Sequence, residues 1–456
     1  MSKRKVTRRT VISTCAGLAA AGAAAPYFWK SAEAAEKKPK APAKPSAPKG
    51  DWHIAAIGVG GRGSSIGHSA ANFGHMTASC DVDRAHAEKF AAKYDGKCQV
   101  YGDYRQVLDR KDIQVVTIGT PDHWHTAIAV AALRAGKDVY CEKPLTLTID
   151  EGRRICRAVE QTGRVFQVGT QQRSEHKQMF LKAVALARSG RLGKNLTATC
   201  SIGGGKSGGP FPTSDPPAGL DWDFWLGQAP KVAYCPERCH NTFRWWQEYS
   251  GGKLTDWGAH HVDIAQWALG CENTGPIEIE GRGEFPNVPA DFKPLDFFAG
   301  KMQLPNGYNN ATQFQINLAY ANGNRNIVRH GPDNGILLEG ENGRIFVSRG
   351  KLTGTPIEDL SAKDQEWLDA EVKRLYKGKE LNGHMNNFFE CVKDRSLPIS
   401  DVFTHQRSIT TCHLCNIAML LKRKLRWDPE KEDFVGDAEA SALRSRPQRK
   451  PYTIPA

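Results

Sequence analysis

Short apolar runs alternate with segments of helical periodicity in the first part of the chain, between residues 52 and 144. Each run has the length of a buried strand, whereas the segments between them repeat apolar residues at intervals of three and four. The pattern predicts strands over 53–57, 76–80, 115–119 and 139–141, and helices over 64–73, 84–94 and 126–135. Strands that alternate with helices in this way predict a parallel, doubly wound sheet of the Rossmann type.

The periodicity changes from about residue 195 onward, where short segments alternate apolar and polar residues one by one. Such alternation is typical of antiparallel strands that expose one face to solvent. It predicts strands over 196–202, 277–281, 311–319, 336–339 and 344–347, and helices over 254–269, 385–392 and 404–421. The predicted fold class is an α/β Rossmann domain (51–170), then an α+β domain with a large, mostly antiparallel open sheet (171–425), and a C-terminal extension (426–456).

The positive charge of the chain is concentrated at its amino terminus. The 456 residues have a formal net charge of +13, and residues 1–50 contain eleven Lys or Arg against two Glu. The rest of the chain is close to charge balance and has no stripe of basic and aromatic residues that would follow a phosphate backbone. We therefore predict that nucleic acid is not a partner.

Residues 1–35 have the three-part plan of an export signal. A basic start contains the pair Arg8–Arg9, residues 11–25 are weakly apolar, and Ala32-Glu33-Ala34 is a small-x-small cleavage site. The arginine pair predicts the Tat export machinery as a partner and a periplasmic or other extracytoplasmic location. An uncleaved leader that anchors the protein in the membrane is the alternative. Residues 36–50, rich in Lys, Pro and Ala, are predicted to form a solvated linker.

The cysteines indicate core packing rather than covalent or metal chemistry. There are 12 cysteines, but Tat substrates fold in the reducing cytoplasm, so the fold should not depend on disulfides. Cys412 and Cys415 form a CxxC within an apolar helical run, and no second Cys/His pair at zinc spacing accompanies them. We interpret both as core side chains and predict no metal site.

A glycine-rich turn follows the first predicted strand and precedes the first helix. In a dinucleotide-binding turn the glycines permit a sharp bend, close approach of the backbone to a pyrophosphate and tight helix–strand packing, while the helix N-terminus attracts the phosphates. Asp81 lies 18 positions after the last glycine, at the end of the second strand, where a carboxylate can accept hydrogen bonds from ribose hydroxyls. The residues of the predicted turn are Gly58, Gly60, Gly61, Arg62 and Gly63.

The predicted cofactor is NAD, because a carboxylate at Asp81 would repel the 2′-phosphate of NADP. Asp83 is the second candidate for the ribose contact. Two nearby cations, Arg62 and Arg84, keep NADP open as an alternative.

Acid–base side chains are spaced along the helix predicted over 254–269. Asp256, His260 and Asp263 are separated by four and three residues, so they share one helix face. An imidazole of near-neutral pKa can accept a hydroxyl proton while a hydride leaves the same carbon. Lys143 follows a Rossmann strand at the edge where ligands bind, and could polarise the developing carbonyl oxygen or relay the proton. The pattern favours an oxidoreductase site.

Further side chains could contact a hydroxyl-bearing substrate. Arg173 and Arg244 could donate hydrogen bonds to substrate hydroxyls, although both could equally be structural ion-pair partners. Trp245 belongs to a set of seven tryptophans between Trp124 and Trp267, whose rings could stack on the C–H faces of a sugar. Core packing accounts for at least half of these rings.

Three motifs carry a resemblance to a known family. They are Thr120-Pro121-Asp122-His123-Trp124-His125, Cys141-Glu142-Lys143-Pro144, and the run from Ser250 to Asp263 that contains D-x-G-x-H-x-x-D. Together with the glycine turn, they resemble the glucose–fructose oxidoreductase/inositol dehydrogenase/rhizopine-catabolism (Gfo/Idh/MocA) family, over about residues 52–425. The resemblance implies an NAD(P)-dependent oxidoreductase of sugars or polyols that assembles through its open sheet.

The resemblance also implies roles for particular residues. His261 stands where the family usually has an apolar residue, so it becomes a further candidate for substrate contact, while the spacing from Asp256 favours His260 as the catalytic imidazole. The matched residues are Lys143, near the reacting carbon and nicotinamide; Glu142, at the cofactor; Thr120, Pro121 and His125, in the loop beside the nicotinamide; and Asp256 and His260, on the substrate helix.

Two enzyme classes fit these residues. The first is an exported sugar or polyol dehydrogenase that keeps its nicotinamide bound and recycles it internally. The second is a redox-neutral glycosidase or lyase, in which transient oxidation of a ring hydroxyl acidifies the neighbouring C–H and permits elimination. The pattern of Lys143, Asp256 and His260 favours the dehydrogenase over the glycosidase, and over a non-catalytic sugar-binding relative.

Overall fold

The computed structural model describes residues 52–454, so the predicted signal and linker lie outside the described residues. The first domain is built on a six-stranded parallel sheet with the order β3-β2-β1-β4-β5-β6. Its strands are β1 Trp52–Ile57, β2 Gly74–Cys80, β3 Gln99–Tyr101, β4 Val115–Ile118, β5 Asp138–Cys141 and β6 Phe166–Val168. This is the strand order of a Rossmann fold, as the sequence predicts.

Five helices connect the strands of this sheet and cover its two faces. They are α1 Gly61–Ala70, α2 Arg84–Ala91, α3 Tyr104–Asp109, α4 Asp122–Arg134 and α5 Ile149–Thr162. The predicted helices correspond to α1, α2 and α4, whereas β3, α3, α5 and β6 are additional. Both β3 and β6 have only three residues, too few to show a periodicity in the sequence.

The second domain contains a nine-stranded sheet with the order β13-β12-β11-β7-β10-β9-β8-β14-β15. Strands β7 and β10 pair in parallel, and the other neighbours pair antiparallel, so the predicted mostly antiparallel sheet is confirmed. The strands are β7 Thr197–Ile202, β8 Glu278–Glu284, β9 Gln313–Ala319, β10 Arg325–His330, β11 Gly335–Gly340, β12 Gly343–Val347, β13 Leu352–Thr353, β14 Leu425–Asp428 and β15 Asp433–Phe434.

The longest helices of the second domain, α8 and α13, pack against each other and against this sheet. Helix α12 contacts the first domain instead, because Met385 and Phe388 join the core formed by Trp52 and Ile54. The helices are α6 Met179–Arg188, α7 Trp222–Leu226, α8 Gly252–Ala268, α9 Pro294–Phe298, α10 Thr355–Glu358, α11 Ala362–Leu375, α12 His384–Asp394, α13 Val402–Leu421 and α14 Ala438–Ala442. The two domains therefore share part of one core.

A segment of the second domain, residues 217–245, lies across the carboxyl ends of the Rossmann strands, where the glycine turn stands; we call it the cover segment. The backbone N–H of Arg84 donates to Gly219 O (3.1 Å), and that of Asp221 donates to Val82 O (3.0 Å). Further along, Trp124 Nε1 donates to Trp225 O (2.9 Å). The cover segment is thus attached to the Rossmann domain at two separate places.

Side chains of the C-terminal extension form hydrogen bonds that hold the cover segment in place. Arg449 Nη1 donates to Asp223 Oδ1 (2.8 Å), and the Tyr452 hydroxyl donates to Asp223 Oδ2 (2.9 Å). Within the predicted extension, β14 also pairs with β8 and so continues the large sheet. The residues after 425 therefore complete the second domain.

The described residues contain no helix that is long and apolar enough to span a membrane. Eleven cysteines lie within this part of the chain, and all are free thiols. Cys412 and Cys415 are buried on α13, where they pack as core side chains, as interpreted from the sequence.

The glycine turn is held by backbone contacts at the ends of β1 and β4. Gly58 has a φ of +73°, and a Cβ at Gly63 would lie 1.7 Å from Gly58 O. Gly63 therefore lets α1 approach the end of β1 more closely than any side chain would permit. Gly61, two residues earlier, has open space around its Cβ direction.

We predict that Gly63→Ala lowers the free energy of unfolding by about 1–3 kcal/mol, the usual cost of forcing atoms into a packed site. Chemical denaturation of the purified protein measures this change. Gly61→Ala is the matched control, because its new methyl group would meet nothing within 4 Å. Equal stabilities of the two variants would contradict the close approach inferred here.

Candidate active site

A cleft opens at the carboxyl ends of β1 and β4, where the strand order of the Rossmann sheet reverses. This is the position at which open α/β sheets bind their ligands. The cover segment forms the opposite wall, with Phe224, Trp225, His240 and Arg244. The predicted site residues that line the cleft are Gly58, Gly60, Gly61, Arg62, Asp81, Thr120, Pro121, Glu142, Lys143, Arg244 and Asp256.

The first turn of α1 meets the cleft without a side-chain cap. Gly60 occupies the N-cap position, no side chain within residues 52–454 caps the first amides, and no acidic residue lies in the first turn. Uncapped amide groups at a helix N-terminus are a ready site for an anion. The site therefore fits the diphosphate of a dinucleotide. Gly63, predicted as part of it, instead provides the close contact between α1 and β1.

Asp81 shapes the glycine turn as well as facing the cleft. Its Oδ2 accepts from Val59 N–H (2.9 Å), and its Oδ1 accepts from Asp83 N–H (2.9 Å). Asp83 caps α2 by accepting from Ala85 N–H (3.1 Å). Two carboxylates at this end of the cleft fit ribose hydroxyls and oppose a 2′-phosphate.

Arg62 and Arg84, the two cations that left NADP as an alternative cofactor, are both paired with glutamates. Arg62 Nε donates to Glu142 Oε1 (2.9 Å), and Arg84 Nε donates to Glu88 Oε1 (2.7 Å). Neither guanidinium makes an ion pair with Asp81 or Asp83 within residues 52–454. The geometry therefore favours NAD, as predicted.

Lys143 and Asp256 meet at the other end of the cleft. Lys143 Nζ donates to Asp256 Oδ1 (2.5 Å), and Arg244 Nε lies 4.0 Å from Asp256 Oδ2. Burial alone would raise the pKa of Asp256, but Lys143 and Arg244 lower it below its ordinary value. The carboxylate is therefore ionised at neutral pH and holds the Lys143 ammonium at the edge of the Rossmann sheet.

His260 lies one turn after Asp256 on α8 and is buried. Its Nδ1 has no hydrogen-bond partner among the described residues. Burial lowers its pKa well below the usual value, and the charges of Lys143 and Arg349 lower it further. The sequence analysis expects a near-neutral pKa, whereas the structure holds His260 as a neutral imidazole because the imidazolium would lose its hydration.

His261, the neighbouring candidate, is engaged in the protein. Its Nδ1 lies 3.3 Å from Gln172 Nε2, and its Nε2 lies 3.1 Å from Asn334 Oδ1. Both ring nitrogens are therefore occupied. Neither His261 nor the buried His260 is among the residues that line the cleft. Of the two histidines, His260 is the one with a free ring nitrogen.

Arg173 is not at the cleft, and Asp263 does not join Asp256 there. Arg173 Nε and Nη2 donate to the two carboxylate oxygens of Asp263 (2.7 and 2.6 Å), and Nη1 donates to Ile399 O (3.0 Å). The side chains are 4% and 0% exposed. The prediction of Arg173 as a substrate residue is therefore corrected: its donors are used in the buried ion pair that the sequence left as the alternative.

Trp245 and His125 are also placed away from the cleft surface. Trp245 is buried in an aromatic cluster with Trp225, Trp246 and Tyr249. Its position is therefore explained by core packing, the alternative to sugar stacking. His125 is buried between two carbonyl groups, with Nδ1 2.7 Å from Pro144 O and Nε2 2.9 Å from Thr120 O. It positions the Thr120 loop and does not line the cleft.

Asp122, which the sequence does not single out as a site residue, lines the cleft from the first turn of α4. Its Oδ2 accepts from the Ser250 hydroxyl (2.5 Å), and burial raises its pKa to about 7. The residue stands inside the quoted Thr120–His125 motif, directly after a Rossmann strand. That position is the signal that could have identified it.

The fold and the cleft define a two-domain dinucleotide-binding protein. Residues 52–170 match the family profile described as the NAD-binding Rossmann fold of the Gfo/Idh/MocA oxidoreductases. Residues 205–290 and 302–454 match the profile of that family's C-terminal alpha/beta domain. The chain belongs to the Gfo/Idh/MocA oxidoreductase family, and NAD is the cofactor of its first domain.

Similar proteins include dehydrogenases and a glycosyl hydrolase. Inositol 2-dehydrogenase of Salmonella paratyphi B is 34% identical over 122 residues, which cover 26% of this chain and 36% of the relative. A glycosyl hydrolase family 109 protein of Shewanella pealeana is 37% identical over 181 residues, covering 35% and 38%. The chain thus aligns with little more than a third of either relative.

One solved structure shows the same fold over nearly its whole length. It is myo-inositol 2-dehydrogenase from Lactobacillus plantarum, with a TM-score of 0.55 and 16% sequence identity. The match covers 83% of this chain and 99% of the other. At this identity the likeness concerns the fold.

We predict that Asp81→Asn weakens NAD binding by about 1–3 kcal/mol, because ribose hydroxyls and Val59 N–H lose a charged acceptor. Calorimetric titration of the cofactor-free protein measures the affinity. Asp83→Asn is the matched control, since Asp83 lies at the same end and mainly caps α2. If Asp83→Asn has the larger effect, the ribose contact belongs to Asp83.

Proposed function

We propose that this protein is an exported oxidoreductase that transfers a hydride between a hydroxyl-bearing carbon of a sugar or polyol and a tightly held NAD. The main support is the ion pair of Lys143 and Asp256 (2.5 Å) at the end of the cleft opposite Asp81. The neutral His260 follows on the same face of α8. A hydrogen-bond donor and a carboxylate thus line one end of the cleft, and a proton acceptor lies behind them, one helical turn further along α8.

NAD⁺, when bound, supplies the acceptor for the hydride. The protein must remove the hydroxyl proton and stabilise the oxygen as the carbonyl forms. In our proposal the Lys143 ammonium donates to the reacting oxygen, and Asp256 fixes its direction while accepting from a neighbouring hydroxyl. The neutral ring of His260 accepts the proton, so the substrate loses one hydride and one proton.

Export is proposed from the leader, with its Arg8–Arg9 pair and small-x-small site. The free thiols of the eleven described cysteines suit a protein that folds before export. A mature amino terminus after residue 34 or close to it would agree with a cleaved Tat signal. An intact amino terminus in the membrane fraction would favour the anchored alternative.

Export requires the cofactor to stay bound, since soluble nicotinamide is not recycled outside the cytoplasm. The cover segment supports such retention, because it is bonded to Val82 and Arg84 at one end of the cleft and to Trp124 further along. Arg449 and Tyr452 hold it there through Asp223. Release of a dinucleotide would require this bonded segment to open.

We predict that Lys143→Ala and His260→Ala each reduce turnover by about 10²–10⁴-fold, the usual contribution of an acid–base group. NAD affinity should change little, which calorimetry checks beside the steady-state rates. His261→Ala is the matched control on the same helix, and it should retain turnover much better than His260→Ala. If His261→Ala is the damaging change, the assignment of the proton acceptor is wrong.

A second candidate function is a redox-neutral glycosidase or lyase. It is supported by the similarity to the glycosyl hydrolase family 109 protein and by the bonded cover segment, which suits a cofactor that never leaves. In this reaction a ring hydroxyl is oxidised, a base removes the proton of the adjacent carbon, and the glycosidic oxygen leaves. Water adds and the hydride returns, so there is no net oxidation.

Incubation without added cofactor distinguishes the two functions. We predict that the purified protein carries NAD(H) and that free sugars change its nicotinamide absorbance once per bound nucleotide, unless an acceptor sugar is present. Aryl glycosides should release little aglycone. Many turnovers of aglycone release, with solvent deuterium at the carbon adjacent to the oxidised one, would instead establish the glycosidase.

A further inference from the structure

Four side chains of α8 form one stripe, in which Asp256 is the member that lines the cleft. Lys253, Asp256, Trp257 and His260 follow one another at intervals of three, one and three residues, so they share a helix face. Only Asp256 in this stripe carries a negative charge. The stripe therefore places a second ammonium group one turn before the Lys143–Asp256 pair.

Arg349 reaches the same stripe from the hairpin between β12 and β13. Its guanidinium carbon lies 4.5 Å from the centroid of the Trp257 ring, and Lys253 Nζ lies 5.4 Å from the same centroid. The Trp257 ring also lies 5.9 Å from the ring of His260. The indole thus brings two cations close to the proposed proton acceptor.

Neither of these two cations has a carboxylate partner in the part of the chain that the structure describes. Lys253 forms no ion pair there, and Arg349 Nε is buried without a hydrogen-bond partner. Burial and neighbouring positive charges lower the pKa of both groups. An unpaired, partly buried guanidinium is unfavourable unless a ligand supplies the anion.

The charges around this end of the cleft do not balance. The cations Arg62, Lys143, Arg244, Lys253 and Arg349 outnumber the carboxylates Glu142, Glu175 and Asp256. Asp122 also lies here, but burial raises its pKa to about 7, so it adds a full negative charge only above neutral pH. The surplus is positive, and its members without a carboxylate partner among the described residues, Lys253 and Arg349, lie against Trp257 on α8.

We propose that the substrate is an anionic sugar, whose carboxylate or phosphate is received by Arg349 and Lys253 while its reacting hydroxyl faces Lys143 and His260. Arg349 can offer two parallel N–H groups to such an anion, and both cations lie against Trp257, which directly follows the cleft residue Asp256. This substrate class rests on the proposed oxidoreductase function. Binding and turnover are therefore measured separately.

The test uses the full-length protein with its bound cofactor. Calorimetry compares D-glucuronate and D-glucose 6-phosphate with neutral D-glucose, and steady-state assays follow the same sugars. At least one anionic sugar should bind about 10- to 100-fold more tightly than glucose, as expected for hydrogen bonds to charged groups, and less tightly as salt increases. The better of the two identifies carboxylate or phosphate as the anion.

Substitutions test whether Arg349 and Lys253 bind the anionic group of the sugar. Arg349→Ala and Lys253→Ala should remove most of the preference for the anionic sugar while leaving glucose affinity nearly unchanged, and Arg349→Lys should retain part of it. Lys363→Ala, exposed on α11, is the matched control. Glucose binding as tightly as both anionic sugars, or equal losses for anionic and neutral sugars in Arg349→Ala, would overturn the proposal.

These measurements also separate the inference from the proposed function. Tight, Arg349-dependent binding of an anionic sugar without any change of nicotinamide absorbance supports the inference and contradicts the oxidoreductase function. Turnover of neutral sugars with no anionic preference supports the oxidoreductase function and overturns the inference.

Discussion

The buried ion pair between Arg173 and Asp263 fixes the helix on which the site depends. Asp263 stands on α8, one turn beyond His260, while Arg173 stands shortly after the last Rossmann strand. Both carboxylate oxygens and three guanidinium nitrogens are bonded in a region closed to solvent. Removing one partner of such a pair typically costs about 3–5 kcal/mol, because the other charge stays buried and unpaired. Any rotation of α8 would break these contacts.

Because α8 cannot rotate, Asp256, which lies about two turns before Asp263 on the same helix, faces the Rossmann sheet. Asp256 then meets Lys143, which extends from the end of β5. This second ion pair joins the two domains across the cleft, so the reacting residues come from a strand end and a helix that are more than 100 residues apart. The site therefore combines the rigid edge of one sheet with a helix fixed by a buried charge pair.

The two ends of the cleft carry opposite charge. Asp81 and Asp83 line the end suited to ribose, whereas Lys143 and Arg244 line the end near α8. Arg349, which has no carboxylate partner within residues 52–454, lies against Trp257 on that helix. Low-dielectric walls on both sides strengthen these fields, since burial removes the screening of water. A dinucleotide and an anionic sugar would thus be oriented by electrostatics before close contacts form. The cover segment, held by the C-terminal residues, forms one wall of the same cleft.

The sequence by itself determined the local parts of this protein. Regular periodicity predicts most of the longer strands and helices. The glycine turn, Asp81, Lys143 and Asp256 could be assigned to a cleft because strand ends and helix faces follow from short-range geometry. Elements of three residues, such as β3 and β6, and the register of the nine-stranded sheet leave no such pattern.

Only the tertiary structure decided which charges are paired. Arg173 and Arg244 look alike in the sequence, yet Arg173 is neutralised by Asp263 and Arg244 faces the cleft. Trp245 enters the core, and Arg349 reaches Trp257 from a hairpin almost 100 residues away. The role of a charged or aromatic side chain depends on its burial and its partners, and both are set by contacts between residues that are distant in the chain.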